Sequence, residues 1–265
     1  MNNLDIYCVT NKKLDFLEKT SLKLVGVGKE NFSDKYLKCD NKDNIFYKEK
    51  YYSELTFHYW YWKNILPREN QKWVGFCQKR RFWIKSNEKK GVISKDNLNE
   101  FLLNNIEEKH DKYESFICNS IKISGAKKIK IIKRGWRNLI DDPSIIFKPH
   151  KETISLHFDM HHGYKNLEKA IQLLNRDDKD DFYHYVNNRD YYNPHIMCIA
   201  RPAILNDWFK CLFSWLEKCE EIFGYDNLEG YDTQRLYAYL AERYLSFWFK
   251  KHTKYKELPW TIVQV

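Results

Sequence analysis

The feature that most constrains this chain is a dense aromatic segment at residues 52–64, which reads YSELTFHYWYWKN. Its aromatic positions cover every face of a helix, and a helix without a polar face is expected to be buried. Ser53 is a suitable N-cap, so the segment predicts a helix that ends near Asn64. The carboxylate of Glu54 would then lie in aromatic surroundings, where an unpaired charge is costly. We therefore predict a functional site at this helix.

Three apolar runs, at residues 4–10, 22–28 and 73–77, predict buried strands of an α/β fold. The second run closes on two glycines, which indicate a plain turn because they do not form a G-x-G-x-x-G fingerprint. The third run leads directly into residues 78–81. Because open α/β sheets bind ligands outside the carboxyl ends of their strands, we expect these residues to face a ligand crevice.

Arg80 and Arg81 are adjacent at the end of the third predicted strand. A guanidinium group binds phosphate oxygens in a bidentate manner and stays charged at physiological pH, so the pair is suited to a diphosphate. The alternative is structural, with one arginine paired to Glu54 and the other facing water.

We predict one domain over residues 1–265, with an insert-like section at about 84–140 and a helical C-terminal part at 202–251. Alternation at residues 127–133 and the apolar run at 145–147 predict further strands. The sequence contains no internal repeat and no low-complexity linker that would indicate a domain boundary.

Composition and sequence pattern argue against a disulfide-bonded framework and against a membrane-spanning protein. The seven cysteines form no C-x-x-C pair and therefore indicate reduced thiols. The N-terminus lacks a signal-peptide pattern, and no run of 18 uncharged apolar residues occurs. The formal charge of +9 favours an anionic partner, but the lysines are spread along the chain and mixed with acidic residues. We expect a cytoplasmic protein, compatible with peripheral association at the inner face of the cytoplasmic membrane.

Glu242 and Arg243 lie on the last predicted helix, each within a largely apolar stripe. Two interpretations are open at this point. The residues form a buried ion pair that braces the helix, or Glu242 is a general base whose pKa is raised by desolvation.

A second group of candidates can supply imidazole nitrogen and carboxylate oxygen to a metal or to a sugar. These residues are His157, Asp159, His161 and His162. Their spacing is not that of an H-E-x-x-H site, so hydrogen-bonding histidines are the alternative. A literal D-x-D occurs at Asp178 and Asp180, but its charged neighbours predict a solvated turn rather than a metal site.

Several motifs together resemble a family of bacterial capsule and O-antigen biosynthesis proteins that includes galactofuranosyltransferases. The family pattern runs roughly D-N-I, E-L-T-x-x-Y-W-x-W-K-N, G-x-C-H-Y-R-R-Y-F, H-[YF]-x-x-x-H and R-x-x-G-x-x-S-E. The matching positions here are 44–45, 52–64, 75–82, 157–162 and 235–242. Gln78 stands where the family usually has histidine, and Ala238 replaces a glycine.

The resemblance implies a Rossmann-like fold of the GT-A type with C-terminal helices, and transfer of a sugar from a UDP-sugar to a glycan or lipid-linked glycan. It implies an inverting hexosyltransferase whose leading donor sugar is galactofuranose or a related furanose. The catalytic candidates are Glu242 and Glu54. The substrate-binding candidates are Asn44, Trp60, Trp62, Lys63, Arg80, Arg81, His157, Asp159, His162, Arg235 and Arg243. Assistance by a divalent metal, Mn²⁺ or Mg²⁺, is expected, with Asp159 and His161 as candidate ligands.

Two alternatives come from other functional classes. A single-stranded nucleic-acid-binding protein would expose aromatic residues on one basic face and lose affinity steeply with salt. We favour a function that does not involve nucleic acid, because four of the relevant side chains are predicted to be buried on helices. These are Trp60, Trp62, Glu242 and Arg243. A non-catalytic glycan-assembly subunit would bind a sugar nucleotide without turnover.

Overall fold

The computed structural model describes residues 3–85, 92–125 and 127–264. The chain divides into two compact units that alternate along the sequence. The first unit comprises Met1–Asn119, His195–Cys211 and Trp248–Val265, and the second comprises Ser120–Pro194 and Leu212–Phe247. The single domain with an insert-like section and a helical C-terminal part stays a prediction. Residues 86–91 and 126 of the insert-like section lie outside the described residues.

The strands are β1 (Leu4–Thr10), β2 (Lys23–Gly26), β3 (Leu37–Lys38), β4 (Trp73–Gln78), β5 (Arg81–Trp83), β6 (Ser115–Cys118), β7 (Ile121–Lys122), β8 (Tyr191–Tyr192), β9 (Cys198–Ala200), β10 (Tyr255–Leu258) and β11 (Trp260–Ile262). Within the described residues, the main sheet has the order β10-β6-β9-β4-β1-β2-β3. Neighbours in this path are parallel except at β9, which is antiparallel to β4 and β6. The mixed α/β class with a mainly parallel central sheet is as predicted.

The α-helices are α1 (Glu49–Tyr52), α2 (Leu55–Asn64), α3 (Leu98–Phe101), α4 (Lys128–Arg134), α5 (Trp136–Asp141), α6 (Ile154–His162), α7 (Asn166–Ile171), α8 (Arg176–Asn188), α9 (Pro202–Phe223), α10 (Gly230–Thr233) and α11 (Leu236–His252). Short 3-10 helices occur at Leu17–Lys19, Phe46–Lys48, Leu66–Arg68, Glu108–His110, Pro143–Ile146 and Pro149–Lys151. No helix among the described residues combines the length and apolarity that a bilayer span requires.

The aromatic helix predicted at residues 53–64 is α2, and its inner face packs on the sheet of the first unit. The ring of Tyr61 lies 5.1 Å from that of Tyr7 and 5.4 Å from that of Phe76. The predicted cap is wrong, because Ser53 has a φ of 51° and Glu54 occupies the N-cap position. The aromatic excess thus fills the space between α2 and the strands, as aromatic side chains of large buried area do.

Two predicted strands are helices in the second unit. Residues 127–133 alternate lysine and isoleucine like a strand, yet they form α4, because Ile131 packs on Met160 and Leu156 of α6. The run at 145–147 lies in and just after the 3-10 helix Pro143–Ile146, which begins at a proline. In both segments, packing of one side chain, Ile131 or Ile145, into the same buried cluster outweighs the local sequence pattern.

The second unit is mainly helical. The indole of Trp215 on α9 donates a hydrogen bond to the carbonyl of Ala170 over 2.8 Å. The Tyr244 hydroxyl on α11 donates to the Asp178 carboxylate over 2.6 Å. Helix α6 is capped at its start by the Thr153 hydroxyl, which accepts from the Leu156 amide over 3.4 Å. These contacts fix α6 and α11, which carry the histidine and arginine candidates.

Candidate functional site

A chain of polar contacts joins Glu54, Gln78 and Arg81 in the first unit. Glu54 precedes α2, Gln78 ends β4, and Arg81 begins β5. The Gln78 Nε2 atom donates a hydrogen bond to the Glu54 carboxylate, and Arg81 Nη1 donates to Gln78 Oε1 over 3.0 Å. Gln78 therefore connects the guanidinium to the carboxylate. Sequence reasoning placed Gln78 at the end of the strand but missed this connection, because Gln78 and Glu54 are 24 positions apart.

The two adjacent arginines have different surroundings. Arg80 is exposed, whereas Arg81 is half-buried. The Nε atom of Arg81 is buried and has no hydrogen-bond partner among the described residues. A buried donor without an acceptor is costly, so an anionic ligand oxygen that reached this group would be stabilised. Arg81 is thus the better placed of the two for binding a phosphate.

A cavity of about 310 Å³ opens at the carboxyl end of β2 in the first unit. Its lining includes Gly26, Gly28, Phe32 and Asp40. Gly28 has a φ of 82°, so the turn predicted at the two glycines is present. A Cβ atom on Gly26 would lie 2.4 Å from the Phe32 ring, so only glycine fits there. The carboxyl ends of parallel strands are where open α/β sheets bind ligands.

The other candidates of the first unit make local contacts. The indole of the buried Trp60 donates to the Asn41 carbonyl over 2.9 Å, and that of the half-buried Trp62 donates to Asn206 over 3.0 Å. The Lys63 ammonium lies 3.6 Å from the centroid of the Trp62 ring. Asn44 accepts a hydrogen bond from the Phe46 amide over 3.0 Å. These contacts explain why these residue types occur at these positions. The role of the four residues in substrate binding stays a prediction.

Arg243 is the centre of the candidate site in the second unit. Its side chain is 1% exposed and donates to the carboxylate of its neighbour Glu242, whose side chain is 15% exposed. The guanidinium lies 3.9 Å from the centroid of the Tyr192 ring, and its Nη2 atom lies 3.4 Å from Nδ1 of His157. The predicted ion pair is therefore present. It joins a buried guanidinium to a carboxylate that reaches solvent.

The histidine segment forms helix α6, which places His157 and His161 one turn apart. Their rings stack with centroids 4.6 Å apart. The ring of His162 stacks on Tyr239 of α11 at 3.7 Å. Burial, reinforced by the positive charge of Arg243, lowers the pKa of His157 to about 2 and that of His162 to about 4. Burial also lowers the pKa of His161. Near neutral pH these imidazoles are therefore uncharged.

The hydrogen-bond partners assign the ring protons. Nδ1 of His161 lies 3.1 Å from the His157 carbonyl oxygen, and Nδ1 of His162 lies 2.9 Å from that of Asp232. Because a carbonyl oxygen only accepts, both rings carry their proton on Nδ1 and present Nε2 as an acceptor. His157 accepts from Arg243 at Nδ1, so its Nε2 carries the proton and donates. The site thus offers both a hydrogen-bond donor and hydrogen-bond acceptors to the hydroxyl groups of a ligand.

A cavity of about 320 Å³ adjoins this cluster within the second unit. His157 and His161 line it together with Lys130, Ile131 and Met160. Its wall therefore combines apolar side chains with neutral imidazoles, the ammonium groups of Lys122 and Lys130, and the carboxylate of Glu152. Such a wall suits a sugar ring, which presents apolar faces and polar hydroxyl edges.

The metal candidates are engaged in other contacts. The Asp159 carboxylate accepts from Asn138 Nδ2 over 2.6 Å and from the Lys165 amide over 3.0 Å. Burial raises the pKa of Asp159. Within the described ranges, no group of three His, Cys, Asp or Glu side chains is arranged to hold a metal ion. The described residues therefore give no protein-held metal site, and metal dependence stays a prediction.

The D-x-D sequence lies in α8 rather than in the solvated turn that was predicted. Asp178 is buried and accepts the Tyr244 hydroxyl, which ties α8 to α11. Arg235 immediately precedes α11 and is half-buried, and its carbonyl accepts the Tyr239 amide over 3.1 Å. Sequence reasoning missed Tyr192, Tyr239 and the Asp232 carbonyl, because contacts between residues so distant in sequence leave no local pattern.

Comparison with known proteins agrees with the fold. The chain is similar to the solved apo structure of WbbM, a bifunctional glycosyltransferase, with a TM-score of 0.69 and 20% sequence identity. The match covers 100% of this chain and 46% of that one, and it supports a GT-A-like fold. No curated protein sequence matches significantly. Residues 5–254 match the sequence profile described as Domain of unknown function (DUF4422), so the chain belongs to the DUF4422 family.

Proposed function

We propose that this chain is a glycosyltransferase that moves a sugar from a UDP-sugar to a growing capsular or O-antigen-type polysaccharide. The leading donor is UDP-galactofuranose or a related furanose, and the reaction inverts the anomeric carbon. The observation that carries the proposal is the likeness of the whole chain to a glycosyltransferase structure with a TM-score of 0.69. The motifs at 52–64 and 75–82 add support, because they resemble those of a family that contains such enzymes.

The chemical step needs a base and a group that stabilises the leaving diphosphate. A hydroxyl oxygen of the acceptor attacks the anomeric carbon, and the bond from that carbon to the UDP β-phosphate oxygen breaks. The hydroxyl proton passes to a carboxylate, for which we propose Glu242. The Glu242 carboxylate is 15% exposed and is held by Arg243, which supports a base that an acceptor hydroxyl can reach.

Phosphate binding is assigned to Arg81, with Arg80 as a second contact. The buried Nε–H of Arg81 and the Gln78 contact that orients its guanidinium support this role. Glu54 holds Gln78 and so positions the arginine. The cavity at the end of β2 suits the nucleoside, because it lies at the strand ends where α/β folds bind nucleotides.

Sugar binding is assigned to the His157 and His161 cavity. Donation from Nε2 of His157 and acceptance at Nε2 of His161 would hold neighbouring hydroxyl groups. Lys122 and Lys130 outnumber the one carboxylate of the wall, Glu152, and would favour an acceptor sugar or linker that carries negative charge. These neutral imidazoles stay hydrogen-bonding groups across the physiological pH range.

The experiment measures UDP release from a panel of UDP-sugars that includes UDP-galactofuranose and its pyranose isomer. A synthetic lipid-linked glycan is the acceptor, and parallel reactions contain Mn²⁺ or excess EDTA. Release from one donor that depends on the acceptor would establish the transferase and identify its sugar. Full activity in excess EDTA would contradict the expected dependence on a divalent metal.

Two results would overturn the proposal. UDP binding without release from any donor would indicate a non-catalytic glycan-assembly subunit. Absence of UDP binding by folded protein would favour the nucleic-acid alternative, which titration with a labelled single strand at increasing salt would then test.

A further inference from the structure

A stripe of large apolar side chains on α4 and α5 faces solvent. The exposed fractions are 61% for Ile129, 49% for Ile132, 52% for Trp136 and 71% for Ile140. Ile129 and Ile132 are three residues apart on α4, and Trp136 and Ile140 are four residues apart on α5, so each pair lies on one side of its own helix. Phe147, which is 76% exposed, lies beside them, since its ring is 5.7 Å from the Lys128 ammonium.

This stripe is separate from the face by which the two helices join their own core. Ile131 is buried with Leu156 and Met160, and Leu139 packs against the same cluster. A Cβ atom on Gly135 would lie 3.3 Å from Met160, so that position also faces inward. The helices therefore carry two apolar faces, one packed and one exposed. Contiguous exposed apolar groups commonly mark an interaction surface.

Positive charge surrounds the exposed stripe. Residues 127–140 contain no acidic residue, and their basic residues are all exposed: Lys127, Lys128, Lys130, Lys133, Arg134 and Arg137. Arg134 also contacts Asp232 over 3.2 Å. The two aspartates that follow the stripe are paired, Asp141 with Lys165 and Asp142 with Lys151. The positive charge of the stripe is therefore largely uncompensated.

We propose that the basic apolar surface of α4, α5 and Phe147 docks this protein on a membrane that contains anionic phospholipids. Apolar side chains would enter the boundary between headgroups and acyl chains, while the lysines and arginines would contact the phosphates. Long basic side chains suit this arrangement, because their stems lie along apolar surface while the charge stays at the headgroups. Trp136 belongs to the residue type that is enriched at membrane interfaces.

The composition of the stripe favours a bilayer over nucleic acid. Single strands are gripped by aromatic rings on which bases stack. Here three of the five exposed groups, Ile129, Ile132 and Ile140, are aliphatic and offer no ring. Aliphatic groups gain free energy by leaving water for hydrocarbon. The combination of branched aliphatic residues with cations is therefore better matched by an anionic lipid surface.

The test is co-sedimentation of the full chain with vesicles, without any donor or acceptor sugar. Vesicles of phosphatidylglycerol and phosphatidylcholine are compared with vesicles of phosphatidylcholine alone, at low and high salt. The wild-type chain is expected to bind the anionic vesicles and to lose binding as salt screens the charges. Failure of the transferase proposal would leave this result unchanged, because no catalysis is measured.

Matched variants separate the apolar contribution to vesicle binding from the electrostatic contribution. The triple variant Ile129→Ser, Ile132→Ser, Ile140→Ser is expected to weaken vesicle binding by at least about ten-fold. Lys128→Gln and Lys133→Gln are each expected to weaken it by about five-fold. Ile222→Ser is the control, because Ile222 is 60% exposed elsewhere in the same unit. Equal binding by the triple variant and the control would overturn the proposal.

Trp136 gives an independent readout of insertion. Lipids brominated along the acyl chain quench tryptophan fluorescence only when the indole enters the bilayer. We expect quenching in the wild type that is largely lost in Trp136→Phe, which should still sediment with vesicles. Absence of quenching in the wild type, or tight binding of a labelled single strand that the triple variant loses, would instead indicate a different partner and overturn the proposal.

Discussion

The candidate polar side chains of the two units differ in how deeply they are buried and in which partners they contact. In the first unit, Gln78 links Arg81 to Glu54, and Arg81 keeps a buried N–H without a partner among the described residues. In the second unit, the Arg243 guanidinium is 1% exposed and packs on Tyr192 beside neutral histidines. Arg243 also keeps a buried Nε–H without a partner among the described residues, so the two arginines differ in access: Arg81 is half-buried and can be reached by a ligand, whereas Arg243 is enclosed. We therefore expect substitutions in the first to affect mainly binding, and substitutions in the second to affect catalysis and stability together.

The largest expected effect follows Glu242→Gln. Removing the carboxylate that accepts the acceptor proton should lower the transfer rate by about 100-fold or more, since general base catalysis contributes a factor of this size. The matched control is Glu217→Gln, an exposed glutamate on α9. Circular dichroism should show that both variants are folded, and UDP release should fall in the first alone. Unchanged turnover in Glu242→Gln would remove the assignment of the base and leave the ion pair a structural role.

Arg243→Met should produce the largest loss of stability. Breaking a buried ion pair by removing one partner costs about 3 to 5 kcal/mol of unfolding free energy, because the other charge is left uncompensated. Glu242 is partly exposed, so the value should lie near the lower end of that range. Unfolding in urea measures the difference. Arg81→Met, tested in parallel, should lose less than about 1 kcal/mol. Similar losses in both variants would contradict the contrast in burial.

The third prediction concerns ligand affinity in the first unit. Arg81→Met should raise the Kd for UDP by about ten-fold, the effect of losing one charge-assisted contact to phosphate. Gln78→Ala should weaken binding in the same direction by a smaller factor, because it only releases the guanidinium from its orienting contact. Arg68→Met is the control, since Arg68 is an exposed arginine of the same unit. Calorimetric titration with UDP measures all three. Equal affinity of Arg81→Met and the control for UDP would contradict the assignment of Arg81 to phosphate binding.

The elements with one dominant pattern could be predicted from the sequence. Strand β1 was predicted with its observed bounds, and β4 and α2 within one or two residues. Each is a compact apolar or aromatic run whose burial leaves little choice of structure. Residues 127–133 carry two patterns at once, because isoleucine follows both the strand period and the helix period. Packing of Ile131 against α6 decides between them, and that contact is not visible in the local sequence.

The candidate site was predictable in its residue types but not in its pairings. Glu242 and Arg243 are neighbours in sequence, and their ion pair was among the expected alternatives. The contact of Arg243 with His157 joins residues 86 positions apart, and Gln78 joins Glu54 across 24 positions. No periodicity encodes such contacts, since they depend on how helices and strands pack. The division of the chain into two alternating units is hidden for the same reason.

The smallest expected effect is the pH dependence of stability that buried histidines impose on each unit. Burial lowers the pKa of His58, which packs on Phe76 and Phe209 in the first unit, to about 3. In the unfolded chain a histidine has a pKa of about 6.5, so the unfolded state binds more protons between these values. Stability must therefore fall as the pH decreases below about 6.5. Lowering the pH from about 7.5 to about 5.5 should cost about 1.4 kcal/mol through His58 alone.

His58→Leu tests this cause directly, because leucine fills the aromatic surroundings without a titrating group. The variant should lose about 1.4 kcal/mol less unfolding free energy than the wild type over the same pH interval. His157 and His162, with pKa values lowered to about 2 and about 4, should each leave a similar dependence that originates in the second unit. His184→Leu is the control for the loss of one exposed imidazole. If His58→Leu and the wild type lost the same free energy, the acid sensitivity would arise entirely from other groups, and the enclosed imidazole of the first unit would have no part in it.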